Sequence, residues 1–123
     1  MEEITRNIRS EDTPLVLTFL GKNTQNGGSP TVFATNRDTY VIQSWKVEGR
    51  PDQVEIPHRL LAHTRPGTSV GAALEDTGRG TFILTGTPVT NVAALAQMNT
   101  PDHETSIEVP VGQERWIHAA SAR

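Results

Sequence analysis

The sequence has no cysteine, and this absence excludes several kinds of protein at once. Without thiols the chain forms no disulfide and no thiolate metal site, which fits a reducing compartment. No stretch approaches the roughly 20 consecutive apolar residues that span a bilayer, and the first ten residues lack the apolar run of a secretion signal. We therefore expect a cytoplasmic protein with no membrane partner.

Aromatic residues and positive charge are also scarce. Among 123 residues there are 11 Lys and Arg against 14 Asp and Glu, and the net charge is −3. This balance offers no general attraction to nucleic-acid phosphates, so a nucleic-acid partner is disfavoured. The apolar fraction of 35% is enough for one domain with a modest core, and such a core favours help from a second chain, as in a homodimer. The six aromatic residues are Phe19, Phe33, Tyr40, Trp45, Phe82 and Trp116.

The motifs of nucleophilic catalysis and phosphate binding are missing as well. Neither Ser29 nor Ser44 lies in a G-x-S-x-G turn. The glycine-containing loop at residues 26–29 lacks the Lys-Ser/Thr ending of a phosphate-binding loop. His118 belongs to no recognisable motif that supplies it with a nucleophile and a carboxylate partner. These residues do not predict a catalytic site or a bound cofactor.

Acidic and histidine side chains do not form a metal-binding pattern either. Asp102, His103 and Glu104 are consecutive, and consecutive residues of a strand point to opposite faces. His58 and His63 are five positions apart, a spacing that does not place two side chains on the same face of a helix. The sequence therefore predicts no metal site.

One motif occurs twice and is the strongest signal present. Residues 35–42 read T-x-R-x-T-Y-V-I, and residues 77–84, 42 positions later, read T-x-R-x-T-F-I-L. Both copies end in apolar-Glu-apolar-Pro, at residues 54–57 and 107–110, which are 53 positions apart and leave eleven extra residues in the second copy. Because a repeated unit usually completes its core with its twin, the pattern predicts two units. We assign residues 28–66 and 67–118 to them within a single domain, after a flexible tail at residues 1–13.

Each unit reads as strand, turn, strand, connection, strand, proline and helix. This predicts a mainly β (α+β) fold with pseudo-two-fold symmetry, either a small barrel or packed sheets. We prefer the barrel because closure removes edge strands, and exchange of units between two chains is a further possibility. Pro57 and Pro110 should open helices, and Asn91 should cap one. Strands are predicted at residues 15–20, 30–35, 39–47, 53–56, 69–75, 81–89 and 105–109, and helices at residues 58–63, 92–98 and after Pro110, where Trp116 and Ile117 lie.

The candidate binding residues come from the repeated motif and its surroundings. Arg37 and Arg79 occupy equivalent turns, where they either bind acidic groups or remain solvated. Trp45 corresponds to Thr87, so it is either an anchor for a partner or a core residue. Glu55 and Glu108 alternate with apolar residues and should face water. The predicted partner-binding residues are Trp45, Arg37, Arg79, Tyr40 and Lys46.

Residues 54–61 read V-E-I-P-H-R-L-L, a strand, a proline and a short helix. This element resembles the closing element of swapped-hairpin barrels of the AbrB type, which are dimeric transition-state regulators that bind DNA. The resemblance implies a DNA-binding barrel as an alternative function. The basic residues available for phosphate contact are Arg37, Arg79, Arg59 and Lys46.

A second resemblance rests on residues 28–35 (G-S-P-T-V-F-A-T), 40–47 (Y-V-I-Q-S-W-K-V) and 94–98 (A-L-A-Q-M). They are similar to small actinobacterial proteins of unassigned activity that are commonly encoded beside helix-turn-helix regulators of development. The resemblance implies a regulatory partner of such a regulator, in the manner of an antitoxin or anti-regulator. We therefore expect a non-enzymatic protein-protein interaction module. A small enzyme of unknown reaction using His103 or His118 is the remaining alternative.

Overall fold

The computed structural model describes residues 15–23 and 29–113, and within them the fold is mainly β. A six-residue 3-10 helix, His58–His63, and a four-residue α-helix, α1 (Val92–Leu95), accompany the strands. The strands are β1 (Leu17–Lys22), β2 (Thr31–Thr35), β3 (Thr39–Val47), β4 (Arg50–Pro57), β5 (Thr68–Val70), β6 (Leu74–Asp76), β7 (Thr81–Thr85), β8 (Thr87–Pro88) and β9 (Glu104–Gln113).

All strand pairs are antiparallel and follow the order β1-β2-β3-β4-β7-β6. The long strand β9 pairs with β3 and also with β5 and β8. Within the described ranges β1 and β6 remain edge strands, so the sheet is not closed. The prediction of a barrel was therefore wrong. The predicted strand 69–75 is divided in two: β5 pairs with β9, Gly71 donates its N–H to Pro110 O at 2.7 Å, and the chain then continues as β6, which pairs with β7.

The main core lies on one face of the sheet. It gathers alternate apolar residues of six strands and Leu60 of the 3-10 helix. Tyr40 is 1% exposed, and its hydroxyl lies 2.6 Å from Thr68 Oγ1 and accepts the Arg65 N–H at 2.8 Å. Tyr40 is thus a core residue, with no side-chain surface to offer a partner. The buried members are Val32, Ala34, Tyr40, Ile42, Val54, Ile56, Leu60, Val70, Leu84, Ile107 and Val109.

The strand registers recur at the offsets seen in the sequence. The pairing of β2 with β3 has the same register as that of β6 with β7, 42 positions later. Each copy of the repeated motif also pairs with the closing strand of the other copy, β3 with β9 and β7 with β4. Matching pairs are Phe33–Val41 with Glu75–Ile83, Val41–Glu108 with Ile83–Glu55, and Glu108–Thr87 with Glu55–Trp45.

Most of the element predictions agree with the structure. Strand 39–47 and helix 58–63 have the predicted bounds, although the helix is of the 3-10 type. Asn91 caps α1 by accepting the Ala94 N–H at 3.0 Å, but the helix ends at Leu95. The predicted strand 81–89 breaks at Gly86, where a Cβ would lie 2.8 Å from Glu108 O and so forces glycine at the close approach.

Predictions near both ends of the chain need correction or lie outside the described residues. Pro110 does not open a helix, because β9 continues through it to Gln113. The first strand, predicted to end at residue 20, continues to Lys22, and Gly21 sits at its bulge, where an added Cβ would clash with the His63 ring. The tail at residues 1–13 and the predicted helical stretch with Trp116, Ile117 and His118 lie outside the described residues.

Candidate functional site

The first copy of the repeated motif binds a carboxylate of β9. Arg37, in the turn between β2 and β3, donates from Nε to Glu108 Oε2 at 2.9 Å and from Nη2 to Oε1 at 2.7 Å. Thr39 Oγ1 donates to Glu108 Oε2 at 2.5 Å and lies 2.6 Å from Thr35 Oγ1. The Arg37 N–H in turn bonds to Thr35 Oγ1 at 3.1 Å. The three motif residues therefore act together on one glutamate.

The second copy repeats this arrangement on β4. Arg79 Nη2 donates to Glu55 Oε2 at 3.1 Å, and Thr81 Oγ1 donates to the same oxygen at 2.6 Å. Thr77 Oγ1 lies 2.6 Å from Thr81 Oγ1 and accepts the Arg79 N–H at 3.1 Å. Arg79 binds one oxygen of Glu55, whereas Arg37 binds both carboxylate oxygens of Glu108, which is the stronger geometry.

The two glutamates were expected to face water, and the structure corrects this. The side chain of Glu108 is 13% exposed and that of Glu55 is 25% exposed. The hydrogen bond from Arg37 lowers the pKa of Glu108, outweighing burial, which raises it, and the Thr39 hydroxyl lowers it further. The same hydrogen bond raises the pKa of Arg37. The Arg37–Glu108 pair thus remains ionised at neutral pH.

Beside these clusters, the face of the sheet opposite the main core carries two matching rows of residues. Residues directly opposite each other in adjacent strands point to the same face, so the registers define both rows. We call the first the covered row: Phe33, Val41, Glu108 and Thr87. We call the second the open row: Glu75, Ile83, Glu55 and Trp45.

The covered row lies under other parts of the chain. Val41 forms a buried cluster with Leu15 and Ala94, against which Val89 and Met98 also pack. Gln97 connects the stretch after α1 to the start of β1: its Nε2 donates to Leu15 O at 2.9 Å, and its Oε1 accepts the Leu17 N–H at 3.0 Å. Residues 89–98, which include α1 and much of the eleven-residue insertion, therefore form the covering segment together with Leu15. A cleft of about 390 Å³ remains between this segment and the Arg37–Glu108 pair.

The open row has no equivalent cover among the described residues. The connection that would cross it, between β3 and β4, is only the turn Glu48–Gly49. Ile83 and Trp45 are half-buried and belong to neither apolar cluster of the described residues, and Glu75 is exposed. By contrast Val41, the counterpart of Ile83, is 0% exposed. The arginine side chains differ in the same sense, since Arg79 is 67% exposed and Arg37 is 36% exposed.

Directly opposite Trp45, Glu104 of β9 has a buried carboxyl group that the sequence did not predict. The Glu104 side chain is 0% exposed, and its Oε1 accepts a 2.9 Å hydrogen bond from Gln43 Nε2, which also donates to Asn99 O. Its Oε2 accepts no hydrogen bond from the described residues, and His103 Nε2 is 3.9 Å away. Burial therefore raises the pKa of Glu104. The signal in the sequence was Gln43, a polar residue in the middle of an otherwise apolar strand.

The other basic residues considered for phosphate contact lie apart in the fold. Arg59, on the 3-10 helix, donates from Nε to Asn23 Oδ1 at 2.7 Å. Lys46 is exposed and follows Trp45 on β3, so its side chain leaves the opposite face of the strand. The structure thus places Trp45 and Arg79 at the open row, Arg37 at the covered row, and Lys46 and Arg59 at neither.

The histidines do not assemble a metal site in the described part of the chain. His58 Nε2 lies 3.4 Å from Asp76 Oδ1, and its ring packs on Phe82 with centroids 4.2 Å apart. Among residues 15–23 and 29–113 no three His, Asp or Glu side chains are grouped closely enough to hold a metal ion. No helix in those ranges has the length and apolarity needed to cross a membrane.

Comparison with known proteins returned no matching family model, no matching curated protein and no matching solved structure.

Proposed function

We propose that this chain is a non-enzymatic protein-protein interaction module and that the open row is its partner-binding surface. The observation that carries the proposal is the difference between two rows of matching register. The centre of one row, Val41, is buried by the chain's own covering segment, and the other row presents Ile83 and Trp45 with no equivalent cover from the described residues. Half-buried aromatic and aliphatic side chains beside an arginine form the kind of surface in which interface hot spots occur.

For the partner we propose a helix-turn-helix transcription regulator, with this chain acting on it as an antitoxin or anti-regulator does. The proposal rests on the resemblance of residues 28–35, 40–47 and 94–98 to proteins encoded beside such regulators. Residues 40–47 belong to β3, which contributes Trp45 to the open row.

We further infer that the chain consists of two copies of one unit that exchange their closing strands around an approximate dyad. Three observations support this inference: the equal registers of β2–β3 and β6–β7, the exchange of β9 and β4, and the two Arg-Glu-Thr clusters with corresponding hydrogen bonds. Duplication accounts for the two rows, and the insertion in the second unit accounts for the cover on only one of them.

The DNA-binding alternative gains no support from the arginine contacts. To bind phosphate, Arg37 would have to break its two hydrogen bonds to Glu108, and Arg79 would have to break its hydrogen bond to Glu55. Each release would leave a carboxylate near the incoming anion, which opposes binding. We expect no complex with DNA in gel retardation at low salt, and a complex that dissociates steeply with added salt would instead support phosphate contact.

The direct test is binding of the purified chain to the helix-turn-helix regulator encoded beside its gene, measured by titration calorimetry. We expect Trp45→Ala and Ile83→Ala each to weaken binding by roughly tenfold or more, because a central apolar contact contributes about 2 kcal/mol. The matched control is Val92→Ala on α1, which removes an 80% exposed side chain outside the open row and should leave the affinity unchanged. Undiminished binding of both open-row variants would contradict the assignment of the surface.

A further inference from the structure

The open row differs from the covered row in charge as well as in exposure. At the position of Phe33 in the covered row, the open row has Glu75, which is exposed. The next residue, Asp76, has a side chain that is 56% exposed. None of the described cations forms an ion pair with Glu75, since Arg79 binds Glu55 and His58 lies beside Asp76. An unneutralised anionic site therefore adjoins the apolar pair Ile83 and Trp45.

We propose that the occupant of the open row is a basic amphipathic segment of the partner, with apolar side chains on Ile83 and Trp45 and a lysine or arginine on Glu75. This inference rests on the proposed function and adds the chemistry of the segment that is recognised. A charge placed beside an apolar contact selects among partners and speeds association, because the complementary charge attracts the segment before docking.

The chain itself contains the template for such an occupant. Over the covered row, Ala94 is fully buried against Val41, while Val92 and Leu95 on the same short helix are 80% and 43% exposed. The covering segment therefore brings a small apolar side chain to the centre of the row. A partner segment that crosses Ile83 in the same way needs an apolar side chain at its centre. Because the open row has Glu75 where the covered row has Phe33, the partner segment needs a cation at the position that faces Glu75.

A second copy of this chain fits the open row less well than a basic segment does. Pairing of β6 with β6 of another copy across a two-fold axis would bring Glu75 and Asp76 against the same two acidic residues. Like charges directly opposite each other in a sheet are destabilising, and the net charge of −3 adds to the repulsion. The charge pattern thus selects a different, basic partner.

The test is a selection from a random 16-residue peptide library displayed on phage, with the full chain as the immobilised target. We expect enriched peptides to combine apolar residues with a net positive charge. When these peptides are synthesised and titrated by fluorescence anisotropy, Glu75→Lys and Ile83→Ala should each weaken binding by roughly tenfold, equivalent to about 1.4 kcal/mol. Val92→Ala should change the affinity by less than about twofold, as expected of a surface substitution outside the contact. When the Glu75→Lys variant is the immobilised target, the selection should enrich acidic peptides instead.

The inference is overturned if the enriched peptides are neutral or acidic, if they bind the Glu75→Lys and Ile83→Ala chains as tightly as the parent, or if no peptide is enriched. Circular dichroism of each variant separates loss of the surface from loss of the fold. Failure here is distinguishable from failure of the proposed function. If regulator binding requires Trp45 but is unchanged by Glu75→Lys, the proposed function is supported and the proposal of a basic segment is rejected. If basic peptides bind but the regulator does not, the regulator is rejected as the partner and the proposed recognition of a basic segment is supported.

Discussion

The covered row and the open row have the same strand register and comparable Arg-Glu-Thr clusters, but only the covered row has a fully buried centre: Val41 is buried, whereas its counterpart Ile83 is half-buried. The difference begins in the connections: residues 89–103 separate β8 from β9, whereas the turn Glu48–Gly49 joins β3 to β4. The hydrogen bonds among the threonines and the arginine of each motif are local, and they form beside both rows. Burial depends on what the connecting chain can reach, so connections of different length give two rows of the same register different exposure.

The largest effect that tests this comparison should come from the arginines. Arg37→Ala should lower the free energy of unfolding by about 2–3 kcal/mol, because it leaves the Glu108 carboxylate without its ionic partner in a mostly buried position. Arg79→Ala should cost less than about 1 kcal/mol, because that pair is more exposed and solvent replaces the contact. Urea denaturation of both variants at pH 7 gives the two values. Equal losses would show that the cover does not strengthen the ion pair.

The apolar centres of the rows should give the next largest difference. Val41→Ala should destabilise the fold by about 2 kcal/mol, since two methyl groups are lost from a fully enclosed position and a cavity remains. Ile83→Ala should cost about 1 kcal/mol despite the larger deletion, because the half-exposed site is already partly hydrated. Denaturant midpoints measured side by side decide the order. A larger loss at Ile83 would mean that the open row is buried in the isolated protein.

The cover itself depends on the cap of α1. Asn91→Ala removes the side-chain acceptor of the Ala94 N–H and should cost about 1 kcal/mol of stability. Thr90→Ala alters the neighbouring exposed residue and should change stability by less than about 0.5 kcal/mol. Amide hydrogen exchange at Val41 should quicken in the Asn91 variant. If both variants behave alike, the capped turn does not hold the covering segment in place.

The smallest effect concerns pH and the buried carboxyl group of Glu104, opposite Trp45. Since the folded pKa of Glu104 is raised by burial, the folded state holds this proton longer than the unfolded state does. Its contribution to stability is therefore greatest below the unfolded pKa of about 4.3 and is lost as pH rises through the folded pKa. Glu104→Gln should abolish this decline, as seen in urea titrations from pH 4 to 8.

Glu108 provides the control with the opposite sign. Its folded pKa is lowered, chiefly by the hydrogen bond from Arg37, so its stabilising contribution is present above the unfolded pKa and is lost as pH falls through the folded value. Glu108→Gln should therefore flatten the acid side of the profile, below about pH 4.3. A profile in which both substitutions act in the same direction would contradict the assigned environments of the two carboxyl groups.

Local sequence was sufficient for several elements. The aromatic and β-branched run from Tyr40 to Trp45 predicted the bounds of β3, and the polar residue Asn91 predicted a helix cap. Both depend on short-range preferences of the backbone and of side chains close in the chain. The equivalence of Arg37 and Arg79 was also visible in the repeat, and both arginines have corresponding threonine and glutamate contacts in the structure.

Long-range contacts defeated the other predictions. Glu55 and Glu108 read as water-facing residues because each alternates with apolar neighbours, and the arginine that binds each lies 24 and 71 positions away, respectively. Tyr40 was assigned to a binding surface, but it lies with Ile42 on the face of β3 that packs into the core. The predicted strand 69–75 is divided at Gly71, whose hydrogen bond to Pro110 joins segments far apart in the chain.

The sequence by itself determined the repeated motif, the order of strands and turns, and the supply of apolar side chains, because these depend on spacing and on near neighbours in the chain. Only the tertiary structure decided which glutamate each arginine binds, that the sheet stays open between β1 and β6, and which row remains accessible. These outcomes arise from packing between segments far apart in the chain, where a connection of different length buries one surface and leaves its counterpart exposed.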